Sequence, residues 1–240
     1  MLAGAATALA SGLGAVPVFL LGRRAEALRP ALWGLAAGVM TVASIVGLLL
    51  PALDEGSVAE VGAGLVAGIA FLLVSRAVVD RSEWVRGSGR RVGVRASVLV
   101  FVVLFVHSLP EGFAIGTAYA SDTEGLALFV ILAIAIQNIP EGTSVAIPLQ
   151  QTGAGPWRQF WAAVASSAPQ PLGAVIAYLL VEEIAALLPF SFAFAAGAML
   201  ALVVAELVPD AVAGGTWLGA AAGFVGGAVV MLAISAVLSV

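Results

Sequence analysis

An all-α, polytopic membrane protein of eight transmembrane helices is the fold class that the sequence predicts, and three observations carry it. Hydrophobic residues make up 62% of the 240 and charged residues only 10%, against roughly 45–50% and 25% in soluble domains. Apolar runs recur along the chain near the roughly 20 residues that a helix needs to cross a bilayer core. All ten basic residues are arginines, gathered at alternate breaks between those runs. The 28 glycines and 11 prolines could suggest low complexity, but a mean hydropathy of +1.12 is the opposite of a chain too polar to fold.

The runs lie at approximately 2–21, 31–51, 58–79, 95–119, 125–149, 158–181, 190–211 and 216–239. Connectors are short apart from a loop at about 80–94, so residues 1–240 read as a single transmembrane domain. Met1 leads straight into apolar sequence without a basic leader, so the first run reads as a span; a cleaved signal is the alternative. Arg23, Arg24 and Arg29 lie in the first connector, Arg76, Arg81, Arg86, Arg90, Arg91 and Arg95 in or beside the third, and Arg158 at the fifth. The even connectors hold carboxylates: Asp54 and Glu55 with Glu60 just beyond, Asp122 and Glu124, then Glu182 and Glu183. Basic residues near helix ends stay in the cytoplasm. The expectation is a multi-pass cell-membrane protein, embedded in the lipid bilayer, with both termini extracytoplasmic. A miscounted helix would have scattered the arginines over both faces.

Small residues at four-residue spacing, Gly34/Gly38, Gly64/Gly68 and the series Gly215, Gly219, Gly223, Gly227, predict close helix approach in lipid. Trp33, Trp157 and Trp217 fall near predicted span ends, where indole rings favour the headgroup region. With no cysteine, any metal chemistry must use nitrogen and oxygen ligands. A net charge of −4 and a pI near 4.9 exclude a nucleic-acid partner bound through a basic surface.

An ionisable side chain at the bilayer centre costs several kcal/mol and needs a partner or a function. Span four contains F-V-H-S-L-P-E-G with His107 and Glu111, span five A-I-Q-N-I-P-E-G with Gln137 and Glu141, and span seven Glu206 in A-E-L-V-P-D. His107 and Gln137 each lie about twelve residues into their runs, near the midplane. The two segments match at an offset of 30, pairing His107 with Gln137, Ser108 with Asn138, Pro110 with Pro140, Glu111 with Glu141 and Gly112 with Gly142. In each copy the ligand-type residues are spaced i, i+4, one turn apart on one helix face. Opposed across an antiparallel pair, the faces would set an imidazole, an amide and two carboxylates around one point, a set suited to a divalent cation. Each proline removes a hydrogen bond to the carbonyl four residues back, at Val106 and Ile136, and predicts a kink there. Such kinks are tolerated at membrane depth where they line a cavity.

His107 alone fits a hydrogen-bonded packing residue, and each P-E-G alone fits a structural kink with a paired glutamate. Together they do not. Every arginine sits at a connector by this reading, so Glu111 and Glu141 must be protonated or bind a cation. Glu206 lies nearer the cytoplasmic end and reads equally as an interfacial carboxylate.

These residues resemble the ZIP (ZRT/IRT-like) family of divalent metal transporters, in its prokaryotic type. The family places H-N-x-P-E-G-like sequence in its fourth span and H/Q-x-x-P-E-G in its fifth. Its S-G-x-x-E-P-x-G-A reads here as S-S-A-P-Q-P-L-G-A from Ser166 to Ala174, and its G-A-M…E-x-x-P-E as Gly197 to Asp210. The resemblance implies a pathway toward the cytoplasm for zinc, and for iron, manganese or cadmium, with the metal as substrate and no cofactor. It also implies a homodimer in which spans one, four, five and six move as a bundle against the others. Carried over residue by residue, a first metal position is His107, Glu111, Gln137 and Glu141. A second is Ser108, Asn138 and Gln170 with Glu141 shared. Two amides and a hydroxyl stand there where the family frequently has carboxylates, so a single ion is expected. Glu206 and Asp210 would lie along the exit. The histidine-rich third cytoplasmic loop of many members is absent, and arginines stand in its place.

Two other classes compete. A membrane-embedded metalloenzyme needs an open coordination position and a general base, but no H-E-x-x-H occurs and the chain has one histidine. A cation- or proton-coupled carrier of another substrate could use the same carboxylates as a relay. Metal-dependent uptake into vesicles, against dependence on pH alone, separates them. One histidine and three oxygen ligands fall between soft and hard preferences and leave the metal open.

Overall fold

The computed structural model describes residues 1–81, 92–213 and 217–240. They form eight helical spans: one (Leu2–Leu21), two (Arg24–Glu55), three (Val58–Val79), four (Ser97–Ala120), five (Leu126–Gln151), six (Pro156–Glu183), seven (Ala185–Ala213) and eight (Trp217–Leu238). No strand occurs among the described residues. Arg86, Arg90 and Arg91 of the expected 80–94 loop, and Gly215, lie outside them.

The helices begin where the sequence offers a start. Ser57 and Glu60 form a reciprocal cap on span three: Ser57 N donates to Glu60 Oε2 at 2.8 Å and Glu60 N to Ser57 Oγ at 3.3 Å, satisfying two otherwise orphaned donors. Pro30, Pro156, Pro169 and Pro189 stand in first turns, where a missing N–H is no loss. Span two starts earlier than expected because a 3-10 stretch, Gly22–Leu28, leads into it. Trp33 is packed inside the bundle, 6% exposed, whereas Trp157 and Trp217 are 74% and 67% exposed.

The prolines of spans four and five do not break their helices. The helices Val92–Ala120 and Leu126–Gln151 run through Pro110 and Pro140 without interruption, since one proline removes a single ladder bond. The interruptions fall at Gly14, between Leu2–Leu13 and Ala15–Leu21, and between Pro156–Ser166 and Pro169–Glu183. In the latter, Pro169 and Pro171 withdraw two N–H groups within one turn and favour a fresh start. Spans two and seven each carry one widened π turn, Ile45–Leu49 and Val203–Leu207. Both turns come just before a proline, Pro51 or Pro209, that has no N–H for the carbonyl of Gly47 or Ala205.

The spans pack as pairs, two with eight, three with seven, four with six and one with five; four and five meet at the centre. The glycine stripes make the outer pairs close. Gly34 and Gly38 face the backbone of Ala220 and Phe224, Gly223 and Gly227 that of Ala31 and Leu35, and Gly64 and Gly68 that of Phe190 and Phe194. Without a water-driven hydrophobic force in lipid, such backbone contact supplies the packing energy.

Candidate metal site

Spans four and five turn their repeated motif inward: His107, Ser108, Glu111, Gln137, Asn138 and Glu141 are all at most 4% exposed. The motif's last residue explains how neighbouring spans are recruited to this level. A Cβ on Gly112 would meet the Gln170 carbonyl of span six, and one on Gly142 the Ser11 carbonyl of span one. Both neighbours arrive close to their own interruptions.

The first-position residues form one connected set. Gln137 Nε2 donates to Glu111 Oε1 at 2.8 Å, and the carboxyls of Glu111 and Glu141 lie within hydrogen-bonding reach of each other. Glu206, within electrostatic range of Glu141, places Oε1 3.6 Å from His107 Nε2. His107 Nδ1, Gln137 Oε1 and Glu141 Oε1 are buried and have no hydrogen-bond partner. Leaving such a group unsatisfied costs about 1–3 kcal/mol, more when it is charged, and a cation is the species that would satisfy several acceptors at once. Among the described residues no three His, Asp or Glu side chains are gathered tightly enough to hold an ion alone, so an ion here would also draw on the Gln137 amide oxygen.

The second-position residues are bonded to one another. Asn138 Nδ2 donates to Gln170 Oε1 at 3.1 Å, and Gln170 Nε2 returns a bond to Asn138 Oδ1 at 3.2 Å. Asn138 Nδ2 also donates to the Thr7 carbonyl at 2.6 Å, and Thr7 Oγ1 to Gln170 Oε1 at 2.8 Å. Ser108 Oγ donates to the carbonyls of Leu104 and Ser166 at 2.9 and 3.1 Å. Gln170 Nε2 further donates to Glu111 Oε2 at 2.6 Å. Glu111, expected to serve only the first position, is thus the carboxylate bonded to residues of both, the place that the family resemblance implies for Glu141.

Several participants were not foreseen. Thr7 and Ser11 are spaced i, i+4 in span one: Thr7 bonds the Gln170 amide, and Ser11 shares a hydroxyl bond of 2.6 Å with Ser167; that spacing in an apolar run was the available signal. Arg76 corrects the reading that every arginine sits at a connector. It lies within span three, where its Nη1 donates to the Ala205 carbonyl at 2.8 Å and stands 3.6 Å from Glu206 Oε1. Glu111 and Glu141 have no arginine partner among the described residues.

The two sides of this layer differ. Toward the chain termini the neighbouring side chains Ala114, Ile115, Ala118, Phe129, Ala133 and Phe192 are all essentially fully buried, and a cavity of about 470 Å³ between spans one, four and six has Ile115 in its wall. Toward the arginine side a cavity of about 230 Å³ is lined by Arg29, Arg76, Ser144, Glu206 and Asp210 among others. Asp210 pairs with Arg29 at 3.7 Å.

A multi-pass helical bundle with a buried set of carboxyl, imidazole and amide groups inside it, and a cavity beside Glu206, has the architecture of a membrane transporter. Residues 82–235 match the sequence profile of the family described as ZIP Zinc transporter, and the chain belongs to that family, which is one of transporters and not of enzymes. It is 32% identical over 245 residues to the zinc transporter GufA of Myxococcus xanthus, covering 98% of this chain and 95% of that one. It is 34% identical over 224 residues to the zinc transporter ZIPB of Bordetella bronchiseptica, covering 88% and 72%. An Arabidopsis thaliana relative is 36% identical over 217 residues, 86% of this chain, which spans only 33% of that longer protein.

Proposed function

We propose that this protein carries divalent transition-metal ions, zinc foremost and iron, manganese or cadmium as further candidates, across the cell membrane toward the cytoplasm. The observation that carries the reading is that His107, Gln137 and Glu141 each leave a buried polar atom without a partner, within one set that also contains Glu111. The zinc transporters named among its relatives support the choice of metal. An arriving ion takes the two carboxylates, the imidazole and, after the Gln137 amide turns its oxygen inward, a fourth donor. Gln170 meanwhile holds the far oxygen of Glu111.

The arginine side is the cytoplasmic side in this reading, since arginines at helix ends are retained there, and both termini are outside. The cavity beside Glu206 and Asp210 is then the route of release, and the packed layer toward the termini must part to admit the next ion. The protein works as a homodimer in the plasma membrane, by resemblance to the family.

Vesicles reconstituted with the protein test this. Zinc should accumulate at a saturable rate that His107→Ala and Glu141→Ala remove. Proton flux without any metal requirement would instead favour a proton-coupled carrier and overturn the proposal.

A further inference from the structure

Among the described residues Arg76 is the one arginine placed against the metal-binding layer, and nothing in the proposed ion route requires it. Its position is fixed from two sides. The carbonyl of Ala205, to which Pro209 offers no N–H, accepts from Arg76 Nη1 at 2.8 Å. The same Nη1 stands 3.6 Å from Glu206 Oε1, and that oxygen lies 3.6 Å from His107 Nε2. One carboxylate oxygen therefore sits between a permanently charged guanidinium and a candidate metal ligand. The pair is partly sheltered, with side chains 40% and 16% exposed, at the inner end of the cavity whose mouth holds the Arg29–Asp210 pair.

We propose that Arg76 is a built-in counter-cation that occupies Glu206, keeping it out of the metal's coordination and so setting the affinity and metal preference of the midplane site. The proposal rests on the midplane reading above. With Arg76 in place, the ion meets two carboxylates, Glu111 and Glu141, and a third negative charge that is already balanced. Without the guanidinium, Glu206 is available beside His107 as an additional oxygen ligand, and a nearby positive charge that repels the ion is gone. Both changes act in the same direction. An added carboxylate also favours harder ions such as Mn²⁺ more than zinc, for which imidazole is well suited. Arg76 is thus a positioning and specificity-determining residue that acts through Glu206.

The test is equilibrium dialysis of Zn²⁺ and Mn²⁺ with the purified protein in lipid nanodiscs. Arg76→Gln should lower the Zn²⁺ Kd by about ten-fold or more, as expected for a unit charge removed one carboxylate away from a sheltered divalent ion, and the Mn²⁺ Kd by a larger factor. Arg76→Lys, which keeps the charge, should stay close to wild type. Glu206→Gln should weaken binding by leaving Arg76 uncompensated, and Arg76→Gln combined with Glu206→Gln should return it toward wild type. An unchanged or weaker Kd in Arg76→Gln, or a double variant as weak as Glu206→Gln, overturns the proposal. If Arg76→Gln alone does not fold, the comparison of Glu206→Gln with the double variant still decides it. Glu141→Gln reports separately: wild-type binding there would dismiss the midplane site itself, whatever the Arg76 variants show.

Discussion

Replacing Glu141 with alanine leaves the proposed ion with a single carboxylate, Glu111, whose two oxygens already accept from Gln137 and Gln170 at 2.8 and 2.6 Å. Two unit charges 4 Å apart interact by about 4 kcal/mol at an effective dielectric near 20, and a divalent ion doubles this to about 8 kcal/mol. Burying the carboxylate costs several kcal/mol; offsetting roughly half of the attraction leaves about 4 kcal/mol. That corresponds to a Kd weaker by about a thousand-fold. Isothermal titration in nanodiscs reads the affinity, and initial uptake into vesicles reads the transport. Glu141→Gln, which keeps the volume, separates the loss of charge from the loss of packing. Because Glu141 faces another carboxyl and has an unpartnered oxygen, the metal-free Gln variant should melt no lower than wild type. Binding of zinc by Glu141→Ala within ten-fold of wild type, or uptake at the normal rate, would refute the assignment.

Metal analysis after dialysis should give one tightly held divalent ion per protomer, because the second position is a bonded amide pair; two ions at modest metal concentration would contradict this. Affinity should fall steadily as pH is lowered from about 8 to 5, since ionised carboxylates are the binding forms and protons displace the metal; a flat profile would contradict binding through Glu111 and Glu141. Gly142→Val would drive a side chain into the Ser11 backbone, and overpacking of about 1–3 kcal/mol or more should lower the melting temperature, whereas Gly153→Ala, with open space around it but φ of +83°, should cost less. Glu206→Ala should slow release while leaving midplane binding measurable, and loss of all binding would make Glu206 a primary ligand.

The eight spans were legible because lipid demands long apolar runs, and the midplane residues because a polar repeat inside such runs stands out. What the sequence hid was set by tertiary geometry. The offset of 30 between the P-E-G copies shows that spans four and five resemble each other, but not that Gln170 would reach across to Glu111. Arg76 sits near a helix end, and composition alone groups it with the connector arginines; only the crossing of spans three and seven brings it to Glu206. Pro110 and Pro140 each withdraw one ladder bond and leave their helices continuous, while Gly14 and Ser167 yielded because a fresh helix start or a close neighbour lay beside them. Trp33 is buried for a simpler reason: the span begins at Arg24, about two turns before its apolar run.

The two π turns have a consequence for leakage. Aligning Pro51 with Pro209 sets Leu48 of span two at the place that Glu206 holds in span seven, and the two turns lie toward opposite faces of the bundle. Leu48 is 1% exposed among apolar side chains, whereas Glu206 borders the open cavity. The same backbone device is thus built once in hydrocarbon and once with a charge. An apolar constriction resists hydrated ions because water will not remain in it, while a carboxylate beside a cavity offers the departing ion water at once. Under the proposed transport reading, ions would pass the apolar turn only when packed helices separate, while the charged turn already borders the cavity.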